Sequence, residues 1–84
     1  MEVIKMLISE AVAKRIMNLC DEKNISINKL AIMSGITQST LQSIISGKSK
    51  NQKILTIVRI CDSLEMSLKD FFDDKLFKNI DSEL

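Results

Sequence analysis

The 84-residue sequence contains no proline and no histidine, and only two glycines and two cysteines. Because proline is absent, the glycines are the main points at which helices are expected to stop. Because histidine is absent, the commonest general base is missing, and no serine, cysteine or lysine has an evident activating partner in the sequence. The composition therefore predicts an all-α protein and argues against an enzyme.

The two cysteines, Cys20 and Cys61, are too few for a zinc site, which needs about four nitrogen or sulfur ligands. Each lies at helical spacing among apolar residues, where a free cysteine behaves as a small core hydrophobe. A redox switch or a disulfide is the less favoured alternative. We expect no bound metal and no cofactor.

Long hydrophobic runs are also missing. The apolar stretches are far too short to span a bilayer, and the first residues lack a basic segment followed by a cleavage site. No alternating apolar and polar pattern typical of strands is sustained. We expect a cytoplasmic protein that does not associate with membranes.

Residues 26–48 have the pattern of two short helices joined by a tight turn. Ser26 is a predicted N-cap, and Gly35 stands where the chain leaves the first helix with positive φ. Thr37 is a predicted N-cap for a second helix, which Gly47 ends in the same way. This stretch is predicted to be a helix-turn-helix that reads DNA.

The second motif helix divides into two faces at the 3.6-residue period. One face is apolar. The other is polar and uncharged, and comprises Gln38, Ser39, Gln42, Ser43 and Ser46. Amides and hydroxyls supply both donors and acceptors, as base edges require, so Gln38, Ser39, Gln42 and Ser43 are predicted base contacts. The two glutamines are the strongest candidates because an amide can pair bidentately with adenine. The alternative is that this polar side of the helix is an ordinary solvent-exposed surface with no binding role.

Charge is distributed unevenly although the net charge is only +1. Residues 23–61 contain six basic residues and no acid, whereas residues 62–84 contain seven acids and three bases. A local positive patch attracts a polyanion even when the global charge is near zero; chance clustering is the alternative.

A polar loop with three lysines follows the second motif helix. Lysines and small polar side chains beside a groove-reading helix suit phosphate contacts, although a plain solvent loop would have a similar composition. The predicted phosphate-contacting residues are Thr37, Lys48, Lys50, Lys53 and, at the start of the first motif helix, Asn28.

Three further helices are predicted around the motif. The first covers residues 9–23 and ends at Asn24, and its predicted solvent-exposed face comprises Lys14, Arg15, Asn18 and Glu22. The fourth covers residues 53–64, with a core stripe of Ile54, Ile57, Val58, Cys61 and Leu64 that Leu55 and Ile60 broaden. The fifth begins after Ser67, a predicted N-cap.

The two ends are an arm, residues 1–7, and a tail, residues 73–84. The arm is apolar and either extends the first helix or lies across a partner. Apolar residues recur every four positions through the tail at Phe72, Leu76, Ile80 and Leu84, which favours an amphipathic continuation of the fifth helix. Such a tail either folds back over its own domain or packs against a second copy.

Residues 8–72 resemble the Cro/repressor-type helix-turn-helix domain, also called the XRE family. The resemblance rests on Leu30-Ala31, Gly35-Ile36-Thr37, Gln38-Ser39-Thr40-Leu41, Gly47-Lys48, Ile57, Ile60, Cys61, Leu64, Met66-Ser67-Leu68 and Phe71-Phe72. It implies one compact five-helix repressor-like domain that binds operator DNA as a dimer. Two positions depart from the family: Ile27 replaces a frequent phosphate-contacting Gln, and Ile45 replaces a common Glu.

These observations together predict a single-domain transcriptional regulator, residues 1–84, that represses by binding a near-palindromic operator in double-stranded DNA as a homodimer. The alternative is the same fold used as a protein-interaction module, such as the antitoxin of a toxin-antitoxin pair, with its apolar tail against a protein partner.

Overall fold

A computed structural model describes residues 6–49 and 51–81, and its architecture is the predicted all-α, five-helix domain. The helices are α1 (Ile8–Lys23), α2 (Ile27–Ser34), α3 (Gln38–Ile45), α4 (Ile54–Ser63) and α5 (Leu68–Phe72). Each begins and ends within one or two residues of the sequence prediction, except at the end of α5. Within the described ranges, no helix has the length and hydrophobicity needed to cross a membrane.

One apolar core holds the five helices together. Ile16 of α1, Leu30 of α2, Leu41 of α3, Ile60 of α4 and Phe71 of α5 are all fully buried. Each helix thus turns one stripe inward, as its 3.6-residue periodicity requires. The helix-turn-helix is therefore fixed on a scaffold made by α1, α4 and α5.

Local capping signals account for most helix boundaries. The hydroxyls of Ser26, Thr37 and Ser67 accept hydrogen bonds from the backbone N–H groups three residues later, at 3.0–3.1 Å. Asn24 and Gly35, with φ of 56° and 67°, end α1 and α2 in the left-handed region. All five roles are confirmed predictions, because each depends on residues close in sequence.

The start of α4 differs from the prediction. Ile54 and Leu55 are 63% and 55% exposed. The sequence predicted that Ile54 belongs to the buried stripe of this helix and that Leu55 widens that stripe. Both lie in the first helical turn, before the buried residues that begin at Ile57. Helical periodicity identifies which residues share a face, but not how far along the helix its packing partners extend.

The prediction that Arg15 lies on the solvent-exposed face of α1 is wrong. Arg15 is only 8% exposed. Its Nε donates to the Phe71 carbonyl at 2.8 Å, and its Nη2 donates to the Asp70 carbonyl at 3.0 Å. Its Nη1 forms an ion pair with Asp74 at 3.2 Å. The guanidinium therefore satisfies the last carbonyl groups of α5 and joins α1 to the tail.

The predicted helical continuation into the tail is also wrong. Helix α5 ends at Phe72, and after two residues the chain forms a short 3₁₀ helix, Lys75–Phe77. Asp73 leaves the helical conformation with a ψ of 72°, and the Asp74 carboxylate then caps the 3₁₀ helix by accepting from the Leu76 N–H at 3.0 Å. Of the four residues in the proposed apolar repeat, Leu84 lies outside the described residues.

The tail folds back over its own domain, which was one of the two alternatives. Phe77 contacts Phe72 edge-to-face at 4.9 Å between ring centroids and packs against the core. Beyond it, β2 (Ile80–Asp81) pairs in parallel with β1 (Met6–Leu7). This short pairing replaces the helical extension proposed for the arm; residues 1–5 lie outside the described residues.

Candidate nucleic-acid interface

The geometry of the interface begins with the turn between α2 and α3. Gly35 takes positive φ and its N–H bonds back to α2, and the Ile36 N–H donates to the Ala31 carbonyl at 3.0 Å. Thr37 then caps the start of α3. The side chains of Leu41 and Ile44 are 0% and 2% exposed, so one side of that helix is buried. The rotation of α3 about its axis is therefore set by packing, and the opposite side faces solvent.

The outward side of α3 carries all four predicted base contacts. Gln38, Ser39 and Gln42 are exposed, and Ser43 is half-buried. Among the described residues, neither glutamine amide hydrogen bonds to another protein group. Gln38 and Gln42 are four residues apart and therefore lie one above the other on the helix. The structure thus brings the predicted set together on one accessible face.

The predicted phosphate contacts belong to α2, to the start of α3 and to the segment between α3 and α4. Lys48 follows α3, Lys53 immediately precedes α4, and Asn28 lies in the first turn of α2; all three are exposed. The connecting loop is ordered by the Gln52 amide, which donates to the Ser49 carbonyl at 2.9 Å. Lys50 lies outside the described residues.

Thr37 has a more specific role than the sequence indicated. Its Oγ1 accepts from the Thr40 N–H at 3.1 Å and donates to the Thr40 Oγ1 at 2.8 Å. Since its only proton is engaged, Thr37 has no further hydroxyl donor to offer a ligand. Thr40 accepts in this pair, and its own hydroxyl proton remains available.

An open cleft of about 460 Å³ lies between the helix-turn-helix and the start of α4. Apolar residues form part of its wall, and hydroxyl, amide and basic residues form the rest. Its lining comprises Gly35, Ile36, Thr37, Thr40, Ile44, Ser49, Asn51, Gln52, Lys53, Leu55, Thr56 and Arg59. No carboxylate is among these residues, while Lys53 and Arg59 contribute two positive charges.

The sequence identified Arg59 only as one base in the acid-free stretch, and it did not predict the cleft that Arg59, Thr40 and Thr56 line. Their common feature is the cleft, which forms only when α3 packs beside α4. Helical spacing within α4 does place Thr56 and Arg59 on one face, three residues apart. That spacing was the one local feature of the sequence that could have indicated a common position for these two residues.

The exposed basic residues near α3 are not neutralised by acids. Within the described residues, Arg15 forms an ion pair with Asp74, whereas Lys48, Lys53 and Arg59 form none. Unpaired cations in an acid-free region maintain a positive local potential. This electrostatic pattern suits a polyanionic ligand.

The cysteines are core residues, as predicted. Cys20 and Cys61 are free and buried, at 3% and 2% exposure. Burial raises the pKa of both thiols, and the neighbouring carboxylates of Asp21 and Asp62 raise it further. Both thiols are therefore kept in the protonated, unreactive form.

Comparison with known proteins gives concordant results. The family model of the Cro/C1-type helix-turn-helix DNA-binding domain matches residues 15–75. The crystal structure of the prophage Lp1 protein 11 is similar, with 33% identity and a TM-score of 0.79 over 89% of this chain and 99% of that one. No match is found among curated proteins.

A second similar structure is an HTH_3 family transcriptional regulator from Vibrio cholerae, with 26% identity and a TM-score of 0.72. That match covers 81% of this chain but only 38% of the regulator, so the common part is a domain of the larger protein. The family match spans most of the chain and includes the whole helix-turn-helix. The chain belongs to the Cro/C1-type helix-turn-helix family of DNA-binding domains.

Proposed function

We propose that this protein is a sequence-specific transcriptional regulator that inserts α3 into the major groove of double-stranded DNA. The observation that carries the proposal is the outward side of α3, which is exposed, polar and uncharged within an acid-free region. A solvated surface helix normally carries lysine and glutamate, whereas amides and hydroxyls match the donors and acceptors of base edges. No catalytic step is part of this function.

Base recognition is assigned to Gln38, Ser39, Gln42 and Ser43. The two glutamines are long enough to pair bidentately with adenine N6 and N7. Ser39 lies beside them on the exposed side, and its hydroxyl can donate or accept at closer range. Ser43 is half-buried, so its contribution requires a close approach of the helix to the base pair.

Phosphate contacts are assigned to Asn28, at the start of α2, and to Lys48 and Lys53, on the segment between α3 and α4, because all three are exposed. Lys50 is assigned on the basis of its charge. Thr37 contributes by capping α3 and by its backbone N–H, since its hydroxyl is engaged with Thr40. Such contacts position a protein on the duplex without reading its sequence. They also make the affinity strongly dependent on salt.

The regulator is proposed to act as a homodimer on a near-palindromic operator and to repress by occupancy. Two copies related by a two-fold axis present two α3 helices to successive major grooves, which requires inverted half-sites about one helical turn apart. A repressor can block transcription simply by occupying the DNA to which polymerase must bind. This mode of action needs no ligand-binding domain.

The test uses a duplex enriched from a random pool by the wild-type protein. We expect Gln38→Ala and Gln42→Ala each to reduce the preference for that duplex over a scrambled one by about 5- to 150-fold, the range for one bidentate base contact. Affinity for the scrambled duplex should not change. Asn79→Ala, which removes an exposed amide in the tail, is the matched control. Unchanged preference in both glutamine variants would show that α3 does not read the bases.

A further inference from the structure

The outer side of α4 carries an apolar residue, a base and an acid, all of them exposed. We propose that this side of α4 is the contact surface for a second copy of the chain, with the two α4 helices antiparallel across a two-fold axis. The proposal rests on the proposed homodimer and names the surface that forms it. Because the tail folds back over its own domain, the contact is assigned to a different part of the molecule.

The outer stripe of α4 consists of Leu55, Arg59 and Asp62. The helix buries Ile57 and Ile60 in the core, at 3% and 0% exposure. With about 3.6 residues per turn, the three stripe residues lie on the opposite side, spaced by four and three positions. Leu55 is 55% exposed, and the two charged residues are exposed as well. The stripe therefore has the spacing of the contact positions in paired helices.

The charge changes sign along α4. Lys53 precedes the helix and Arg59 lies in its middle, whereas Asp62 lies in its last turn and Glu65 follows its end. When two such helices are antiparallel, the basic half of each one faces the acidic half of the other. Within the described residues, neither Arg59 nor Asp62 forms an ion pair in its own domain. The surface is thus complementary to itself, as a contact across a two-fold axis requires.

The charged pair also fixes the register of the two helices. An axis midway between Arg59 and Asp62 places each of them opposite the other residue of the second copy. Leu55, four residues before Arg59, then lies opposite the position four residues after Asp62 of the second copy. That position is Met66, which is half-buried just beyond the end of α4. The register therefore gives two ion pairs at the centre and an apolar contact at each end.

The end of α2 widens the surface. An open depression beside α4 is lined by Met33, Ser34, Gly35, Arg59, Asp62 and Ser63. Met33 is 42% exposed, so an apolar side chain lies beside the charged pair. Apolar contacts around an ion pair exclude water from it and so strengthen it. A partner of another sequence would need its own matching order of charges, whereas a second copy already has that order.

Sedimentation equilibrium of the full chain without DNA tests the charged pair. Arg59→Glu and Asp62→Arg each replace two attractive pairs by two repulsive ones, so each should raise the dissociation constant of the dimer at least about tenfold. An equimolar mixture of the two variants should dimerise about as tightly as wild type, because opposite charges then meet at both pairs. Lys78→Glu, which reverses an exposed charge in the tail, is the matched control and should have no effect.

A second variant tests the apolar part of the contact. Leu55→Ser should raise the dissociation constant of the dimer about tenfold, because one apolar side chain is lost from each end of the contact. The urea midpoint of the dilute monomer should not fall, since Leu55 is exposed in the single domain. Ile32→Ser is the matched control, because Ile32 is 68% exposed on α2 and does not line the depression. Equal effects of the two serine variants on the dimer would contradict the proposed surface.

The charge-reversal mixture gives the result that would overturn the proposal. A mixture that dimerises no better than the separate variants rejects the pairing of Arg59 with Asp62, and so does a dimer that neither reversal weakens. Wild-type protein that remains monomeric up to about 1 mM also rejects the surface, since the contact then contributes too little free energy to hold two copies. The proposed function fails by a separate result, which is that no duplex is enriched from a random pool.

Discussion

Replacement of Arg15 by methionine should destabilise the domain and release the tail from α1. Methionine retains most of the apolar stem but removes every donor of the guanidinium, whose central carbon lies 5.9 Å from the centroid of the Phe71 ring. The carbonyl groups of Asp70 and Phe71 lose the donors that lie at 3.0 and 2.8 Å. Since the Arg15–Phe71 bond is buried, water does not readily replace it.

The magnitude follows from the three contacts. Leaving the buried Phe71 carbonyl unsatisfied costs about 1–3 kcal/mol. Loss of the part-buried bond to the Asp70 carbonyl, which still accepts from the Asp73 N–H, costs about 0.5–1.5 kcal/mol. The ion pair adds less than about 1 kcal/mol, because the side chain of Asp74 is 26% exposed and solvent screens it. The methionine offsets part of the loss, since it avoids the desolvation of a cation. We therefore expect the free energy of unfolding to fall by about 2–4 kcal/mol, a large share of the stability of a small domain.

Urea unfolding monitored by circular dichroism measures this loss, and Asp74→Asn provides the matched control. Asparagine keeps an oxygen that can accept from the Leu76 N–H, but its NH2 group replaces the oxygen that accepts from Arg15 Nη1. The cap is therefore retained, the ion pair is lost, and the cost should stay below about 1 kcal/mol. Hydrogen exchange should show faster opening at the Met6 N–H, which donates to the Asn79 carbonyl at 3.0 Å. A loss below 0.5 kcal/mol in Arg15→Met, or equal losses in both variants, would refute the reasoning.

Two further predictions concern the backbone and the cysteines. Glu65 ends α4 with φ of 56°, so Glu65→Gly should raise the free energy of unfolding by about 0.5–1 kcal/mol in urea titration, whereas Glu65→Ala should not. Because burial raises the folded pKa of Cys20 and Cys61 above the unfolded value, their contribution to stability is complete below about pH 8.5 and is lost as pH rises through the folded pKa. The urea midpoint should therefore fall above that pH, and less so in the double variant Cys20→Ala/Cys61→Ala; identical profiles would contradict this explanation.

Sequence reasoning succeeded where the cause of a structure is local. The caps at Ser26, Thr37 and Ser67 and the turn at Gly35 each depend on a few neighbouring residues, and all four form as predicted. The polar side of α3 follows from the same periodicity that buries Leu41. These signals were sufficient to place the four predicted base contacts on the outward side of α3.

The errors arose where the cause lies far away in the sequence. Arg15 is polar at an outer position of α1, and its burial depends on carbonyl groups 55 and 56 residues later. The four-residue apolar repeat of the tail suggested a helix, but Asp74 caps a new 3₁₀ helix and the Phe77 ring packs beside Phe72. The left-handed Glu65 carried no glycine signal, so its conformation was not predicted.

The central claim is that α3 reads base pairs as one half of a two-fold dimer. Selection of duplexes from a random pool at near-physiological salt tests it most directly. The account predicts enrichment of two inverted half-sites about one helical turn apart, with an affinity for the selected duplex that falls steeply as salt rises. A pool that remains random, with weak binding even at low salt, would contradict it.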